Sequence, residues 1–518
     1  MGGVSTKFTR FNSPFYAIVH HQTNKITPME QNIFSLAKIF LITTIFWALN
    51  SWSDEIPPLC ERLIEIKKSP RFDRLNHPIE TARFYNQRCK NLESLAWLDQ
   101  NATLTSDATE LLSAIDNSYN EGLNPKRYHK DEITEALAQL KNNATADEDN
   151  ASLYWLDILL SDAYMTLSKD LYEGVSTYDE LRESKRAKAE RFEWDRPQIE
   201  AISYPEYLEE YLKLHRISRS LTSLSPDYEE YYRLRDTLRT FRSAAVTGKN
   251  PSSTSQKIIK KLLINLDRFR WLPRGVGKNG SYIDVNIPSY TLKVIDHGYE
   301  VLAMKTIVGR GSRPTPILNS TISHAVLNPS WTAPQTIIRK DILESKEISA
   351  YLQNHDIRVY EHVRGELYEV DPIQIDWSRY SGKKQIPYTF KTDAGETNPL
   401  GKVKFLFPNK HFVYLHGTNV PALFKKTNRA LSSGCIRLSA PQKLYDYMME
   451  KWENPEEKSP DTLEESDISV RLQKKLPILL RYMTISADNS NTVNVYDDIY
   501  GYDDAQWAIL KKKGVRGE

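Results

Sequence analysis

The stretch His411-Phe412-Val413-Tyr414-Leu415-His416-Gly417-Thr418-Asn419, followed by Leu431-Ser432-Ser433-Gly434-Cys435-Ile436-Arg437-Leu438, decides how the chain is read. Phe412, Tyr414 and His416 alternate with Val413 and Leu415. That is the period of a strand, and its end would deliver the His416 imidazole to a loop mouth. Cys435 follows 19 residues later, behind a glycine that lets the backbone bend and ahead of an apolar, helix-like run from Leu444 to Trp452. Such a turn can aim the N–H groups of Gly434 and Cys435 at one point, so nucleophile and oxyanion donors would share it. A thiol attacks as thiolate, and a free cysteine with a pKa near ~8.5 supplies little of it without a base or positive charge nearby. His416 is the candidate base. The plainer readings are a buried small hydrophobe for Cys435 and a hydrogen-bonded strand residue for His416.

Upstream of this pair the period is also two. Tyr282–Ile287, Thr291–Ile295 and Tyr299–Gly309 read as successive strands joined at Pro288-Ser289 and Asp296-His297-Gly298, the start of a β-sandwich or barrel. Arg310–Pro316 and Leu327–Pro334, the latter holding Trp331, are turn-rich, and His324 reads as structural. Residues 335–397 interrupt the sheet with a helical, charged segment rich in tyrosine, either a lid or a solvated hairpin. After Trp452 an acidic stretch, Glu453 to Asp467, reads as an exposed loop, followed by strand-like Ile478–Ile485 and Val493–Gly501.

From about residue 55 to 245 the pattern is helical. Leu111–Pro125 is an amphipathic helix stopped by Gly122 and Pro125, and Leu156, Leu159, Leu160, Ala163 and Leu167 lie at helical spacing. No catalytic constellation is visible there, so the region reads as scaffold. A short Gly-Lys-Asn-Pro-Ser-Ser-Thr-Ser linker, 248–255, leads into the helical run Ile258–Pro273 and is too short to hide a domain.

At 518 residues the chain has room for two or three domains. A net charge of +2 gives no general case for nucleic acid, and the mean hydropathy of −0.54 excludes a polytopic membrane protein. The one apolar run, Ile39 to Leu49, has signal-peptide length, with Ser51 and Ser53 fitting cleavage before Asp54. An uncleaved anchor and a buried helix are the alternatives, and Met29 is a candidate start. Of three cysteines, Cys60 and Cys89 would either pair in an oxidising compartment, leaving Cys435 free, or stay as buried thiols.

The pattern His-Gly-Thr, about twenty residues, then Ser-Ser-Gly-Cys-Ile-Arg resembles the signature of YkuD-type L,D-transpeptidases. Ser433 stands where most of the family has a second histidine, and Arg437 where asparagine is commoner. Both departures, and the stretch Asn398 to Asn409, are similar to the YcbB-like subgroup, although that subgroup usually has His-Asp-Thr-Pro where this chain has His416-Gly417-Thr418-Asn419. The resemblance implies an α+β architecture. A leader at 1–53 precedes a mainly helical scaffold at 54–255, and a mixed β-sandwich or barrel catalytic domain occupies 256–334 and 398–455. A capping insertion fills 335–397 and a C-terminal extension 456–518.

The resemblance also implies a cysteine acyltransferase acting on peptidoglycan stem peptides as donor and acceptor, with no metal or organic cofactor. Cys435 would be the nucleophile, His416 the base, Gly434 an oxyanion donor, and the Gly417 carbonyl the group that steers the imidazole. Arg437, Ser433, Arg429 and Trp331 would contact substrate, while Lys425 and Lys426 read as solvated. Water as acceptor would give a carboxypeptidase, a protein lysine an anchoring enzyme, and an idle site a wall-binding scaffold. The peptidoglycan-binding module common in the subgroup is not found. Polymer recognition then falls to the cleft or to partners in cell-wall synthesis, and the implied location is the periplasm, by signal peptide or inner-membrane anchor.

Overall fold

Apolar residues at every second position from Ser281 onward form the strands of one large sheet. The computed structural model describes residues 58–91, 94–142, 151–184, 194–195, 200–247, 252–277, 280–383, 385–452, 465–488 and 492–517. The apolar run 39–49, the cleavage site before Asp54, linker residues 248–251 and residues 453–464 of the acidic stretch lie outside the described residues.

Strands β1 to β4 are Ser281–Asn286, Thr291–Asp296, Tyr299–Gly309 and Leu318–Leu327. Strands β5 to β8 are Trp331–Thr332, Arg358–Val363, Glu366–Val370 and Tyr388–Thr392. Strands β9 to β13 are Val403–Leu406, Leu415–His416, Ala430–Ser432, Ile436–Leu438 and Ile468–Arg481. The main sheet runs β11-β3-β12-β10-β9-β4-β13-β1-β2, and β2 pairs back onto β3, closing all but β11 into a barrel. Closure removes the exposed edges that an open sheet would leave. Ile283, Val285, Leu292, Val294, Phe405, Leu415 and Ile436 point into one core, completed by Leu444, Tyr445 and Met448 of helix Pro441–Trp452. Burying each of these side chains stabilises the fold by about 1.5–3 kcal/mol.

The stretch expected as a C-terminal extension is integral to this barrel. It supplies β13, parallel to β1 and antiparallel to β4, in the middle of the sheet. The strand was hard to see because its register shifts between Arg471 and Leu476, which breaks the two-residue alternation around Lys474 and Lys475. The stretch Tyr496–Gly501, read as the end of a strand, lies beyond the sheet.

The helical region centres on Ala151–Glu173, buried around most of its circumference rather than along one stripe. Asp157 and Asp162 lie inside it and tie neighbouring loops down. Asp157 accepts from Tyr85 Oη (2.6 Å) and from the Trp97 amide (2.7 Å), and Asp162 from the His77 amide (2.8 Å). Instead of a linker through residue 255, Ser252 caps a helix that begins at Ser253. This helix, Ser253–Phe269, bonds to the barrel through Asn265 Nδ2 to Thr484 Oγ1 (3.0 Å), while Arg268 pairs with Asp503 (2.8 Å). Trp194, Trp271, Tyr290, Tyr482, Tyr500 and Tyr502 pack in one aromatic cluster between helices and barrel. Cys60 and Cys89 are both disulfide-bonded, and Cys435 is the free cysteine. Among the described residues no helix is long and apolar enough to cross a membrane.

The insertion, expected to be helical, has helical segments at Gln335–Ile337, Ile338–Ile342 and Ile348–Asn354 but is built on a second sheet, β5-β8-β6-β7. Ile338, Ile342, Leu352, Val359 and Phe390 give it a core of its own. It is a folded unit, named the cap for the role expected of it, that pairs with β5 and packs on Tyr414.

Candidate active site

Strands β10 and β12 run parallel with Leu415 opposite Ile436 and His416 opposite Arg437. Val413, Leu415, Ile436 and Leu438 face the barrel core. Alternation therefore turns His416 and Arg437 to the opposite face, while Cys435, just before the paired residues, packs against the edge of the core and Tyr414 against the insertion. The strand is shorter than its sequence period suggests. Phe412 leaves it with a left-handed φ of +55° and is 85 % exposed.

Burial pushes the Cys435 thiol up to about 11, against the Tyr414 amide and the Arg437 charge, which both favour thiolate. Burial, with help from Arg437 and Lys404, pushes His416 down to about 3. The carbonyls of Gly417 and Pro399 stand beside the imidazole and favour its protonated form. The Nδ1 atom is buried with no hydrogen-bond partner. The resting pair is thus a neutral thiol and a neutral imidazole, and His416 is free to accept a proton. Arg437 Nε is likewise buried and without a hydrogen-bond partner, which leaves a guanidinium charge available on this face.

The turn before the nucleophile is held by residues that are not adjacent in sequence. Gly434 has a φ of +118°, a conformation that favours glycine. Its N–H, expected as an oxyanion donor, instead donates to Ser432 Oγ (3.2 Å), whose hydroxyl donates to the Cys435 carbonyl (2.6 Å). The Gly434 carbonyl accepts from Thr315 Oγ1 (2.8 Å), which accepts from the Gly309 amide (2.8 Å). Tyr500 Oη accepts from the Thr315 amide (3.1 Å) and donates to the Gly309 carbonyl (2.6 Å). Sequence reasoning missed Thr315 and Tyr500. The one signal was their place in two phrases, the turn-rich Arg-Pro-Thr-Pro and the Asp-Asp-Ile-Tyr-Gly that ends a strand-like stretch.

Three expected substrate contacts have other duties. Ser433 Oγ accepts from Arg310 (3.2 Å) and Arg313 (2.9 Å), which both pair with Asp341 of the cap. Arg429 donates to the carbonyls of Thr306, Lys426 and Tyr290 at 3.0–3.1 Å, so it clamps loops together. Trp331 is buried in the cap core and reaches the site only through its hydrogen bond with Tyr414. Lys425 and Lys426 are exposed. His324 bonds to neighbouring Ser323 (2.9 Å), consistent with a structural role. Behind His416 a cleft of about 430 Å³ is lined by Gly401, Lys402, Gly417, Thr418, Phe424 and Pro441.

Residues 280–458 match the L,D-transpeptidase catalytic domain, YkuD, and residues 80–238 match a Scaffold domain. A Haemophilus influenzae protein named “Putative L,D-transpeptidase” is 35% identical over 270 residues, which is 51% of this chain and 53% of that protein. The chain thus spans about half the length of the curated relative it matches. Among solved structures, an L,D-transpeptidase from Mycobacterium smegmatis aligns at 14% identity over 40% of this chain and 61% of its own, with a TM-score of 0.20. Mycobacterium tuberculosis L,D-transpeptidase 1 aligns at 16% identity over 39% and 62%, with a TM-score of 0.18. These overlaps are too slight to add to the assignment.

Proposed function

We infer, from a chain that carries a YkuD L,D-transpeptidase catalytic domain and a Scaffold domain, that the protein is a YcbB-like peptidoglycan transpeptidase working through a cysteinyl thioester. The observation that carries this reading is the pairing of His416 with Arg437 on adjacent strands, with the Arg437 charge acting on both His416 and Cys435. Cys435 Sγ attacks the carbonyl of the third stem residue at its bond to the terminal D-alanine, and His416 takes the thiol proton as the S–C bond forms. Because the thiol is held neutral at rest, attack and proton transfer go together. The Cys435 N–H donates to the developing oxyanion, and Arg437 stabilises negative charge at sulfur and takes a substrate carboxylate. The C–N bond then breaks, and the departing amine leaves with the proton from His416. The side-chain amine of a second stem resolves the thioester, linking two third residues and regenerating the thiol.

Water or a protein lysine in place of that amine would use the same residues. Export to the periplasm, by a cleaved or retained apolar run 39–49, is part of this proposal. The disulfide-bonded Cys60 and Cys89 support it, since such bonds persist in oxidising compartments. The test is mass spectrometry of the purified protein with a disaccharide tetrapeptide, beside Cys435→Ala. A dimer lacking one D-alanine and dependent on Cys435 is expected. Tripeptide alone would mean carboxypeptidase action, and no product together with no carbapenem adduct on Cys435 would sink the reading.

A further inference from the structure

Among the described residues Phe412 is the most exposed of the large apolar side chains, at 85 %, and it holds a left-handed backbone that a phenylalanine rarely adopts. The loop imposes this conformation. Asn409 Nδ2 donates to the carbonyls of Phe407 (2.9 Å) and Val413 (2.8 Å), and its Oδ1 accepts from the amides of His411 and Val413, each at 3.1 Å. From the other side Asp195 pairs with Lys410 (2.6 Å) and His411 (3.0 Å). A rigid loop thus displays an aromatic ring to solvent, at a position where glycine or asparagine would cost less.

Its place in the chain is two residues before Tyr414. The next residue, Val413, lies against Gly434, and the one after it, Tyr414, points its amide at the Cys435 thiol. Two residues of extended chain span at most about 7 Å. A donor whose third stem residue sits at Cys435 has its first sugar about 10 Å away, the reach of three extended residues.

We propose that Phe412, with the Asp195, Lys410 and His411 cluster beside it, forms a rim site for the sugar of the donor. The proposal rests on the reading of the site given above. A phenyl ring offers faces and no hydrogen bonds, which suits the C–H face of a pyranose, and the neighbouring carboxylate, ammonium and imidazole suit its hydroxyl and amide groups. A peptide is the poorer fit, because Asn409 already occupies the amides of His411 and Val413 and the carbonyl of Val413.

The test compares kcat/KM for a disaccharide tetrapeptide and for the same tetrapeptide without sugar, in wild type, Phe412→Ala and Phe412→Trp. The ratio of the two should fall about three- to tenfold in Phe412→Ala, mainly through KM, and return in Phe412→Trp. Equal losses on both donors would assign the ring to the peptide, and no loss on either would remove it from recognition; either overturns the proposal. Titration of Cys435→Ala with chitotetraose, with and without Phe412→Ala, reads the sugar site without turnover. If wild type processes neither donor, the catalytic reading fails, and this titration still decides the role of Phe412: weaker binding upholds it, and equal binding overturns it.

Discussion

The Thr315 hydroxyl donates to the Gly434 carbonyl at 2.8 Å, so the peptide preceding the nucleophile is oriented by a loop 119 residues away in sequence. Thr315→Val keeps the shape but leaves that carbonyl and the Gly309 amide without their partner, at a cost of about 1–3 kcal/mol for each buried group. A nucleophile displaced by about 1 Å can lose up to about 100-fold in rate. We expect acylation of Cys435 by a carbapenem, followed by intact mass, to slow by at least about tenfold on that basis, and Thr315→Ser to restore most of it. Wild-type acylation by Thr315→Val would show that the turn holds itself.

His416 makes stability depend on pH. Its folded pKa, about 3, lies below the ordinary 6.5 because burial and then Arg437 oppose protonation. The unfolded chain therefore takes up the proton first as pH falls. Stability is full above 6.5, declines as pH drops below it by up to about 1.4 kcal/mol per pH unit, and levels off near 3. Urea unfolding at pH 7, 5 and 4 should show a shallower acid decline in His416→Asn than in wild type. Equal slopes would mean that the imidazole is not held neutral.

Arg437→Ala acts on both partners, in ways opposite for catalysis. Loss of the guanidinium lets His416 protonate more easily and removes a charge that favours the Cys435 thiolate. The pH midpoint for alkylation of the resting thiol, about 11 in wild type, should move higher, and transpeptidation should drop by roughly 100-fold, as when a group that stabilises charge is lost. An unchanged alkylation profile would place the guanidinium away from sulfur.

What the sequence disclosed about this site follows from what was local. His416, Cys435 and Arg437 sit in two short segments whose alternation and glycine turn are visible from neighbours alone, and β1 to β3 are likewise a simple meander. Thr315, Tyr500 and Asp341 are brought to the nucleophile by barrel closure and by the cap, and no periodicity encodes that. Ser433 and Arg429 carry bonds that their closeness to Cys435 in sequence does not reveal. Their polar atoms are bonded to Arg313, of the loop after β3, and to loop carbonyls. Gly434 shows the same limit, since only the folded turn reveals that Ser432 has taken its N–H.

Asp341 is the cap's charged tether to the nucleophile loop, through Arg310 (2.9 Å) and Arg313 (2.5 Å), the arginines that also hold Ser433. All three side chains are partly exposed, so Asp341→Asn should change global stability by no more than about 1 kcal/mol. The local effect should be larger. Hydrogen exchange across residues 335–345 should quicken, and KM for the donor should rise several-fold as the cap loosens. Unchanged exchange there would mean that apolar packing alone seats the cap.

Gly401 and Gly417 cross so closely that a Cβ on Gly401 would lie 2.7 Å from the Thr418 amide nitrogen and 3.0 Å from Gly417 Cα. Gly401 also has a φ of +64°, so Gly401→Ala carries both a backbone penalty of about 1–2 kcal/mol and a collision with the segment that follows His416. Gly365 in the cap, with a φ of +95° and nothing within 4 Å of its Cβ position, separates the two effects. Gly365→Ala should lose stability with little change in carbapenem acylation, whereas Gly401→Ala should lose acylation well beyond its loss of stability. The collision can be relieved only by moving Gly417, and with it the carbonyl beside the imidazole. If the two variants lose acylation in proportion to stability alone, the crossing is not what positions His416.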